Sequence, residues 1–327
     1  MTDSLDLAVV LINWNGRHDC EGALAAIRSQ RPGAGEVVVV DNGSSDGSLE
    51  WFLAQPDLVV LSNPTNFGFA RAANQGIRAT SSELVMLCNL DVRLQDGFLE
   101  HTVHRLLSAP DVGSVGGLLL REEGELVVDS AGHVLHRSGW VSNRGQGELD
   151  HFEHAEEVFG VTAAAAVYRR QMLEDVALEG EVFCESFFAY LEDVDLDWRA
   201  RWRGWRSFVE PLARATHRRG GSGLHRSARI ERHVLANRAL LWARNAPRSW
   251  LWGPPAGSAD GLVVLRSGLA ARRHPSALLG LADAGRLLPE ALRARRLIMG
   301  RRRVSDEEIE RWAEPTPWRA LIGSHLH

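Results

Sequence analysis

One short run of the chain, Glu192–Asp197, holds four acidic side chains. An apolar stripe begins in this run and continues at helical spacing through Val194, Trp198, Trp202 and Trp205. The spacing predicts an amphipathic helix that starts at the acids. The positive end of the helix dipole favours carboxylates by roughly 0.3–1 kcal/mol, so an acidic helix start without a catalytic role is one interpretation.

The four acids differ in the partners that helical spacing gives them. Two are predicted to form ion pairs with arginines four residues later, Asp195 with Arg199 and Asp197 with Arg201. Glu192 and Asp193 have no such partner, and they follow the aromatic segment Phe187–Tyr190 directly. A carboxylate in a partly desolvated cleft is suited to act as a general base, which contributes about 10²–10⁴-fold to a rate. The second interpretation is therefore that Glu192 and Asp193 are catalytic.

The elements that position these acids begin with a regular alternation over the first 120 residues. Short, nearly continuous apolar runs predict strands buried on both faces at Leu7–Ile12, Val37–Val40, Leu58–Leu61 and Leu84–Leu87. Helices are predicted between and after them at Asp19–Ser29, Ser48–Ala54, Ala70–Ala79 and Gly97–Ser108. This alternation is typical of βαβ units and a parallel sheet.

Polar, turn-forming residues follow each of the four predicted strands. The segments are Asn13–Gly16, Asp41–Gly47, Ser62–Asn66 and Asn89–Asp91. Ligands of open parallel sheets bind outside the carboxyl ends of the strands, where such loops converge. Ordinary polar turns explain any single loop, but four in succession favour a binding site.

Two further residues are suited to a metal or a diphosphate. Asp91 ends the most apolar strand, and hard divalent cations bind one or two protein carboxylates together with phosphate oxygens. Capping of the next helix is the alternative for Asp91. His217 lies beside two arginines and a glycine-rich stretch, a composition that fits a metal, a diphosphate or an ordinary surface loop. His133 and His136 are expected on the surface of a flap.

The remainder of the chain changes character twice. Residues 114–161 read as short antiparallel strands or a flap, and Thr162–Arg170 reads as a small-residue strand that leads into a helix. From about His225 the pattern is helical and rich in arginine, with breaks at Gly253–Pro255 and His274-Pro275. We expect a first domain over 1–220, divided at about residue 115, and a helical region over 221–327.

Composition limits the class of protein. The chain has 327 residues, 45% of them apolar, enough for a sizeable core. Three cysteines fit a reducing cytoplasm, and no apolar run is long enough for a membrane span. No glycine-rich dinucleotide fingerprint follows the first strand and no P-loop occurs. All 37 basic residues are arginine, and 21 of them lie from Pro211 onward with only 9 of the 42 acids.

Six sequence blocks resemble glycosyltransferase family 2, and within it the bacterial rhamnosyltransferase-like branch. They occur in the family's order over residues 7–250: Val9–Gly16, Val37–Ser48, Asn63–Gly76, Met86–Val92, Phe187–Trp205 and His217–Ser222. The resemblance implies an α/β GT-A fold, in which helices flank a Rossmann-like, mostly parallel sheet, with a C-terminal helical extension. It also implies inverting transfer of a sugar from a nucleoside-diphosphate donor.

The resemblance also implies roles for particular residues. Asp193 matches the catalytic base, with Glu192 orienting the acceptor, and Asp91 matches the last acid of a D-x-D-type motif that binds Mn²⁺ or Mg²⁺, with His217 as a further ligand. Asn89 replaces the first acid of that motif. The residues expected around the nucleotide sugar are Asn13, Trp14, Asn15, Asp41, Asn66, Gly68, Arg71, Asn74 and Asn89, of which Asp41 would contact the base.

The expected donor is UDP- or dTDP-linked, and the expected acceptor is a glycan or a polyprenyl-linked glycan in cell-envelope polysaccharide synthesis, with no nucleic acid involved. The glutamine-arginine-tryptophan motif of processive relatives is absent, which favours single additions. We expect a cytoplasmic protein, with the basic tail held at an anionic inner membrane surface, docked on the acidic half or paired across a homodimer. A sugar nucleotidyltransferase and a non-catalytic carbohydrate-binding protein are the alternatives.

Overall fold

The computed structural model describes residues 4–122, 126–219, 228–252 and 275–316. Its first four strands are those that the sequence predicts: β1 (Ser4–Asn13), β2 (Gly33–Asp41), β3 (Leu58–Ser62) and β4 (Leu84–Asn89). They are parallel and lie side by side in the order β4-β1-β2-β3. Val9 and Val10 point to opposite faces of β1 and are both fully buried, which explains the uninterrupted apolar run.

The four predicted helices are also present, with ends within two residues of the expected ones: α1 (Arg17–Arg28), α2 (Ser48–Leu53), α3 (Phe69–Arg78) and α4 (Phe98–Leu107). Helix α3 approaches the sheet closely because its inner face is made of alanine and glycine. A Cβ atom at Gly76 would lie 2.2 Å from a methyl group of Val10. The small residues of this block are thus explained by packing.

The rest of the chain adds further strands, most of which extend the same sheet. They are β5 (Val92–Leu94), β6 (Val112–Arg121), β7 (Val128–Ser130), β8 (His133–His136), β9 (Val141–Asn143), β10 (Glu156–Val158), β11 (Ala165–Arg169) and β12 (Arg206–His217). Strand β11 enters antiparallel between β4 and β6, and β12 lies parallel to β6, so the central order is β10-β12-β6-β11-β4-β1-β2-β3. The α/β fold with a mostly parallel central sheet is confirmed.

Two helices follow β11, namely α5 (Arg170–Val176) and α6 (Glu192–Trp202). The acidic run forms the start of α6. The prediction that α6 is amphipathic is wrong, because its polar residues are buried together with its tryptophans. The helix ends at Trp202, so Trp205 lies beyond it. Strand β10 and the C-terminal helices cover the side of α6 that the sequence pattern assigns to solvent.

The described residues from 228 onward are mostly helical, as predicted. It contains α7 (Ala228–Asn245), α8 (Pro275–Arg301) and α9 (Asp306–Glu310), followed by a short strand β13 (Ala313–Glu314) that pairs with β8. None of the helices in the described residues is both apolar enough and long enough to span a bilayer. Residues 220–222, the predicted break at Gly253–Pro255 and the arginines at positions 272 and 273 lie outside the described residues.

Candidate active site

The carboxyl ends of the first strands meet at one edge of the sheet, as the loop pattern predicts. Asn13 is aligned with Asp41, and Asp41 with Ser62, in the parallel registers. On the other side of β1, Ile12 is aligned with Asn89. The polar segments that follow β1, β2, β3 and β4 therefore leave the sheet side by side, which is the usual place for a ligand in this class of fold.

Asp41 and Asn13 form the buried base of this edge. The Asn13 amide donates to the Asp41 carboxylate over 2.6 Å, and backbone N–H groups of Gly43 and Ser44 donate to the other carboxylate oxygen over 3.0 Å. Both side chains are fully buried. They join the first two loops from within, so these internal hydrogen bonds already account for both residues; contact of Asp41 with a nucleotide base stays a prediction.

The outer part of the same loops is accessible. Asn15 is exposed, adopts a positive φ of 53°, and accepts a hydrogen bond from the Ser45 N–H over 2.8 Å. Trp14 is half-buried beside it. Of the predicted lining that the Asn13–Asn15 loop provides, Trp14 and Asn15 are thus the side chains that a ligand at this edge is able to reach.

Gly68 lies where the third loop meets the segment before the candidate catalytic acids Glu192 and Asp193. Its φ is 89°, and a Cβ atom there would lie 2.4 Å from the Phe188 carbonyl oxygen. Asn66 accepts a hydrogen bond from the Gly68 N–H over 2.8 Å, and the amide of Asn42 donates to the Gly68 carbonyl over 3.0 Å. Glycine is required here because the two chain segments are in direct contact.

Asn74 and Arg71, which are also predicted around the nucleotide sugar, differ in exposure. Asn74 is buried, and its amide exchanges two hydrogen bonds with the backbone of Phe183, over 2.8 and 2.9 Å. Arg71 is 47% exposed, stacks over the Phe67 ring at 4.2 Å and lies 3.8 Å from a carboxylate oxygen of Glu185. Asn74 thus orders the loop before α6, whereas the guanidinium of Arg71 is accessible to an anionic ligand.

Asp91 and His217 are brought together, as the predicted metal site requires. Nε2 of His217 lies 3.3 Å from the Asp91 carboxylate, and Nδ1 lies 2.8 Å from the carboxylate of Asp129. Burial lowers the pKa of His217, but the hydrogen bonds to Asp129 and Asp91 outweigh it and raise this pKa to about 9. Strand β12 delivers His217 to this place because it pairs antiparallel with β5, opposite Val92.

This pair fits a divalent metal as a partial ligand set. A carboxylate on Nδ1 is the usual second partner of a histidine that binds a metal through Nε2. Within the described residues no group of three or more acidic, histidine or cysteine side chains has a metal-binding arrangement. Two protein ligands suffice when the phosphates of a substrate complete the coordination. Asn89, half-buried two residues before Asp91, borders the same place.

Asp193 and Glu192 open α6 beside the end of β4. The Ala163 N–H donates to the Asp193 carboxylate over 3.2 Å, and the adjoining Ala164 carbonyl accepts the N–H of Asn89 over 2.8 Å. Asp193 is therefore next to the loop that carries Asp91. Its side chain is 17% exposed, so it lies in a cleft yet is reachable.

Glu192 has a different environment from its neighbour. It is buried, and its Oε2 atom has no hydrogen-bond partner in the described structure. Burial raises the pKa of Glu192 well above its ordinary value, and the Asp193 carboxylate adds to the rise. Burial raises the pKa of the Tyr190 phenol, and the charges of Glu192 and Asp91 add to the rise.

The structure confirms one of the two ion pairs predicted within α6 and corrects the other. The predicted pair of Asp195 with Arg199 forms at 2.8 Å, but Asp197 does not pair with Arg201. Arg201 instead binds Glu157 and two backbone carbonyls, while Asp197 contacts Nδ1 of His133 at 2.7 Å.

His133 and His136 are not on a flap surface either, because both are at least nine-tenths buried. His133 lies between two carboxylates, Asp197 and Asp193, and His136 accepts or donates a hydrogen bond at Ser142. Sequence reasoning therefore missed His133, Asp197 and Asp129 as parts of the site. Each comes from a short strand or a helix interior, where no spacing rule connects it to a distant partner.

Comparison with known proteins identifies the family of the chain. The family described as "Glycosyl transferase family 2" matches residues 8–177, slightly more than half of the chain. The N-acetylglucosaminyl-diphospho-decaprenol L-rhamnosyltransferase of Mycobacterium tuberculosis is 24% identical over 83% of this chain and 94% of its own length. The O-antigen biosynthesis protein RfbC of Myxococcus xanthus is 28% identical over 78% of this chain and 20% of its own length.

A solved structure gives the same fold. The mannosyltransferase PcManGT from Pyrobaculum calidifontis, in complex with GDP-Man and Mn²⁺, superposes with a TM-score of 0.52 at 18% identity, over 90% of this chain and 86% of that one. The central sheet flanked by helices is thus a GT-A fold. With the family match over half of the chain, the protein belongs to glycosyl transferase family 2 and is a glycosyltransferase.

Proposed function

We propose that this glycosyltransferase moves one sugar from a nucleoside-diphosphate donor to an acceptor hydroxyl with inversion at the anomeric carbon, and that it requires Mn²⁺ or Mg²⁺. The observation that supports this most directly is that Asp193 lies beside the loop that carries Asp91 and its partner His217, so that these residues would line one cleft at the carboxyl edge of the sheet. Such a cleft holds a proton acceptor and an anion site close together, which a single displacement needs.

In this proposal Asp193 takes the proton of the acceptor hydroxyl. The acceptor oxygen forms a bond to the anomeric carbon as the bond from that carbon to the diphosphate breaks, and the electron pair leaves with the nucleoside diphosphate. One displacement inverts the configuration, as in inverting glycosidases, where a carboxylate activates the nucleophile from the opposite face. Arg71 lies exposed at the same edge and is placed to contact the leaving diphosphate.

Asp91 and His217 are the residues that would hold the metal. A bound divalent cation neutralises charge that develops on the diphosphate as it leaves. Asp129 would keep the imidazole of His217 oriented through Nδ1, so that Nε2 faces Asp91. The donor nucleotide is proposed to be UDP or dTDP.

The acceptor is proposed to be a glycan or a polyprenyl-linked glycan of the cell envelope, and the sugar to be rhamnose. The relative from Mycobacterium tuberculosis supports both, since its name describes rhamnosyl transfer to a decaprenyl-linked acceptor. Helix α8 presents exposed leucines, among them Leu281, Leu288 and Leu292, with the arginines Arg293 and Arg296 beside them. Apolar groups flanked by arginine suit the surface of an anionic membrane.

Transfer assays with Asp193→Asn test the base. Removing a general base is expected to lower the transfer rate about 10²–10⁴-fold, while the affinity for UDP or dTDP with Mn²⁺ is unchanged in calorimetry. Asp96→Asn is the matched control, because Asp96 is an exposed acid to which the proposal gives no role. Full transfer activity in Asp193→Asn would remove Asp193 from this role.

Nucleotide binding with and without Mn²⁺ tests the metal site. Asp91→Ala is expected to remove the part of the affinity for UDP or dTDP that depends on Mn²⁺, measured by thermal shift against a panel of nucleoside diphosphates. The same panel identifies which nucleotide base the protein prefers. Equal stabilisation of Asp91→Ala and the parent protein by Mn²⁺ with nucleotide would contradict the assignment.

Flotation with anionic liposomes tests membrane contact. The parent chain is expected to float with the vesicles at low salt, and a variant with Arg293 and Arg296 changed to Glu is expected to float less. Absence of binding at low salt would exclude membrane contact of the basic tail. The remaining alternatives, docking of the tail on the acidic half and pairing across a homodimer, are distinguished by sedimentation.

A further inference from the structure

A histidine connects the candidate base to a second, deeply buried carboxylate. Nδ1 of His133 lies 2.7 Å from Asp197, and Nε2 of the same ring lies 3.8 Å from Asp193. Because the first nitrogen is committed to Asp197, the other is aimed at the base. His133 comes from strand β8 and both acids come from α6, one turn apart, so the ring bridges two residues on one face of that helix.

The local backbone is built to keep Asp197 in this position. The second oxygen of its carboxylate accepts the Val161 N–H over 3.3 Å, and the His133 N–H donates to the Gly160 carbonyl over 2.9 Å. A Cβ atom at residue 160 would lie 1.8 Å from the Asp197 carboxylate, so only glycine allows the close approach. Asp197 is 2% exposed and His133 is 6% exposed.

The charges around the ring favour its cationic form. The carboxylates of Asp193 and Asp197 face it, Glu192 and the Tyr168 hydroxyl lie in the same buried cluster, and Arg201 is a cation in the field of Asp197. Burial alone lowers the pKa of His133, but the two acids reverse the effect and raise it. Burial raises the pKa of Asp197 to about 6 against the opposing hydrogen bond from His133.

We propose that His133, anchored by Asp197, is a positioning residue that holds the Asp193 carboxylate in place and compensates its negative charge. The inference rests on the proposed role of Asp193 as the base. The carboxylates of Glu192, Asp193 and Asp197 lie together at the N-terminal end of α6. Carboxylates that are close to one another and shielded from water disfavour the ionised form, which is the form that a general base needs. An imidazolium between two of them offsets that effect, and Asp197 fixes the orientation of the ring.

Transfer kinetics across pH test the positioning role. His133→Gln keeps a hydrogen-bond donor of similar reach but has no charge, so we expect kcat to fall about 10–100-fold with little change in the donor KM. The acidic limb of the kcat/KM profile should move to higher pH by about one unit. His136→Gln is the matched control, since His136 is buried on the same strand three residues away. A lower rate with an unmoved acidic limb would overturn the proposal, because it would indicate a structural role alone.

Histidine titration by NMR tests the pairing without the reaction. The His133 imidazole signals are assigned from their loss in His133→Gln, and their titration is followed in the otherwise unchanged protein and in Asp193→Asn. Removal of the Asp193 charge should lower the pKa of His133 by about one unit. An unchanged pKa of His133 would overturn the pairing. The two experiments distinguish the two proposals. Transfer activity in Asp193→Asn would refute the role of Asp193 as the general base, whereas the titration reports only on the pairing of His133 with Asp193.

Discussion

At the scale of single residues, environment and not residue type separates the four acids of α6. Asp195 is fully buried between two arginines, Arg199 and Arg244, which hold it ionised. Glu192 is buried without a hydrogen-bond partner for one of its oxygens and favours the neutral form. Asp193 alone combines partial exposure with a place beside the cleft. Adjacent acids in one sequence motif thus have unrelated tasks.

The ion pairs of Asp195 are predicted to be a main support of α6. Asp195→Ala leaves Arg199 and Arg244 buried without their partner, so the free energy of unfolding should fall by about 3–5 kcal/mol in urea at neutral pH. Asp57→Ala is the control, because Asp57 pairs with Arg28 where both side chains are largely exposed, and its loss should cost less than about 1 kcal/mol. Equal losses in the two variants would contradict the assignment.

The same carboxylate should make stability depend on pH in acid. Burial opposes ionisation of Asp195, but the charges of Arg244 and Arg199 prevail and hold its pKa well below the ordinary value of 3.8. An acid with a depressed folded pKa stabilises the protein above its unfolded pKa, and this part is lost as the pH falls below that value. Between about pH 5 and 3 the free energy of unfolding should therefore fall less steeply in Asp195→Asn. Identical slopes would refute this.

At the scale of elements, burial determines what the sequence is able to predict. Strands covered on both faces leave continuous apolar runs, so β1, β2 and β4 follow from the pattern. Strand β3 is also correctly placed, but the prediction that it is buried on both faces is wrong, because it lies at the edge of the sheet with Val59 45% exposed. Strand β8 is only four residues long and has a histidine at each end, and nothing local indicates that His133 is buried. Partners such as Asp197 come from tertiary packing, which local spacing does not encode.

Gly68 and Gly47 both have a positive φ, but only Gly68 is in close contact with another chain segment, so substitutions at the two positions distinguish steric contact from backbone strain. Gly68→Ala should raise the donor KM and lower the melting temperature, because the new Cβ atom meets the Phe188 carbonyl at 2.4 Å and moves the loop before α6. Gly47→Ala is a matched control with a φ of 84° and nothing within 4 Å of the added atom, so it should cost only about 1 kcal/mol of backbone strain. A donor KM that changes equally in both variants would show that the contact at Gly68 has no role.

At the scale of the whole molecule, the C-terminal helices belong to the structure that holds the site. Arg244 of α7 pairs with Asp195 of α6, and the Trp202 indole donates to the Asn245 carbonyl over 3.0 Å. The expected division into 1–220 and 221–327 stays a prediction, but α7 is packed against the helix that carries the candidate base. We infer that the C-terminal region supports the geometry of the cleft whatever its outer face contacts.

Asn237 of α7 provides the sharpest test of this support. Its amide nitrogen donates to the carbonyls of Phe187, Ala189 and Tyr190, over 2.9, 3.0 and 2.8 Å. The segment that it holds has three positive φ angles at residues other than glycine, at 188, 190 and 191, and directly precedes Glu192. Such conformations cost about 1–3 kcal/mol each and persist only where the surroundings enforce them.

Asn237→Ala should therefore lower kcat about 10–100-fold, with a smaller effect on the donor KM, because the segment relaxes and displaces the start of α6 by a fraction of an ångström. Arg232→Ala is the control on the same helix, since Arg232 pairs with Asp283 of α8 at a partly exposed place away from the cleft. Steady-state transfer kinetics and melting temperatures of both variants provide the comparison. If Asn237→Ala lost stability but kept kcat, the segment before α6 would be ordered by the catalytic half alone, and the C-terminal helices would have no part in placing the base.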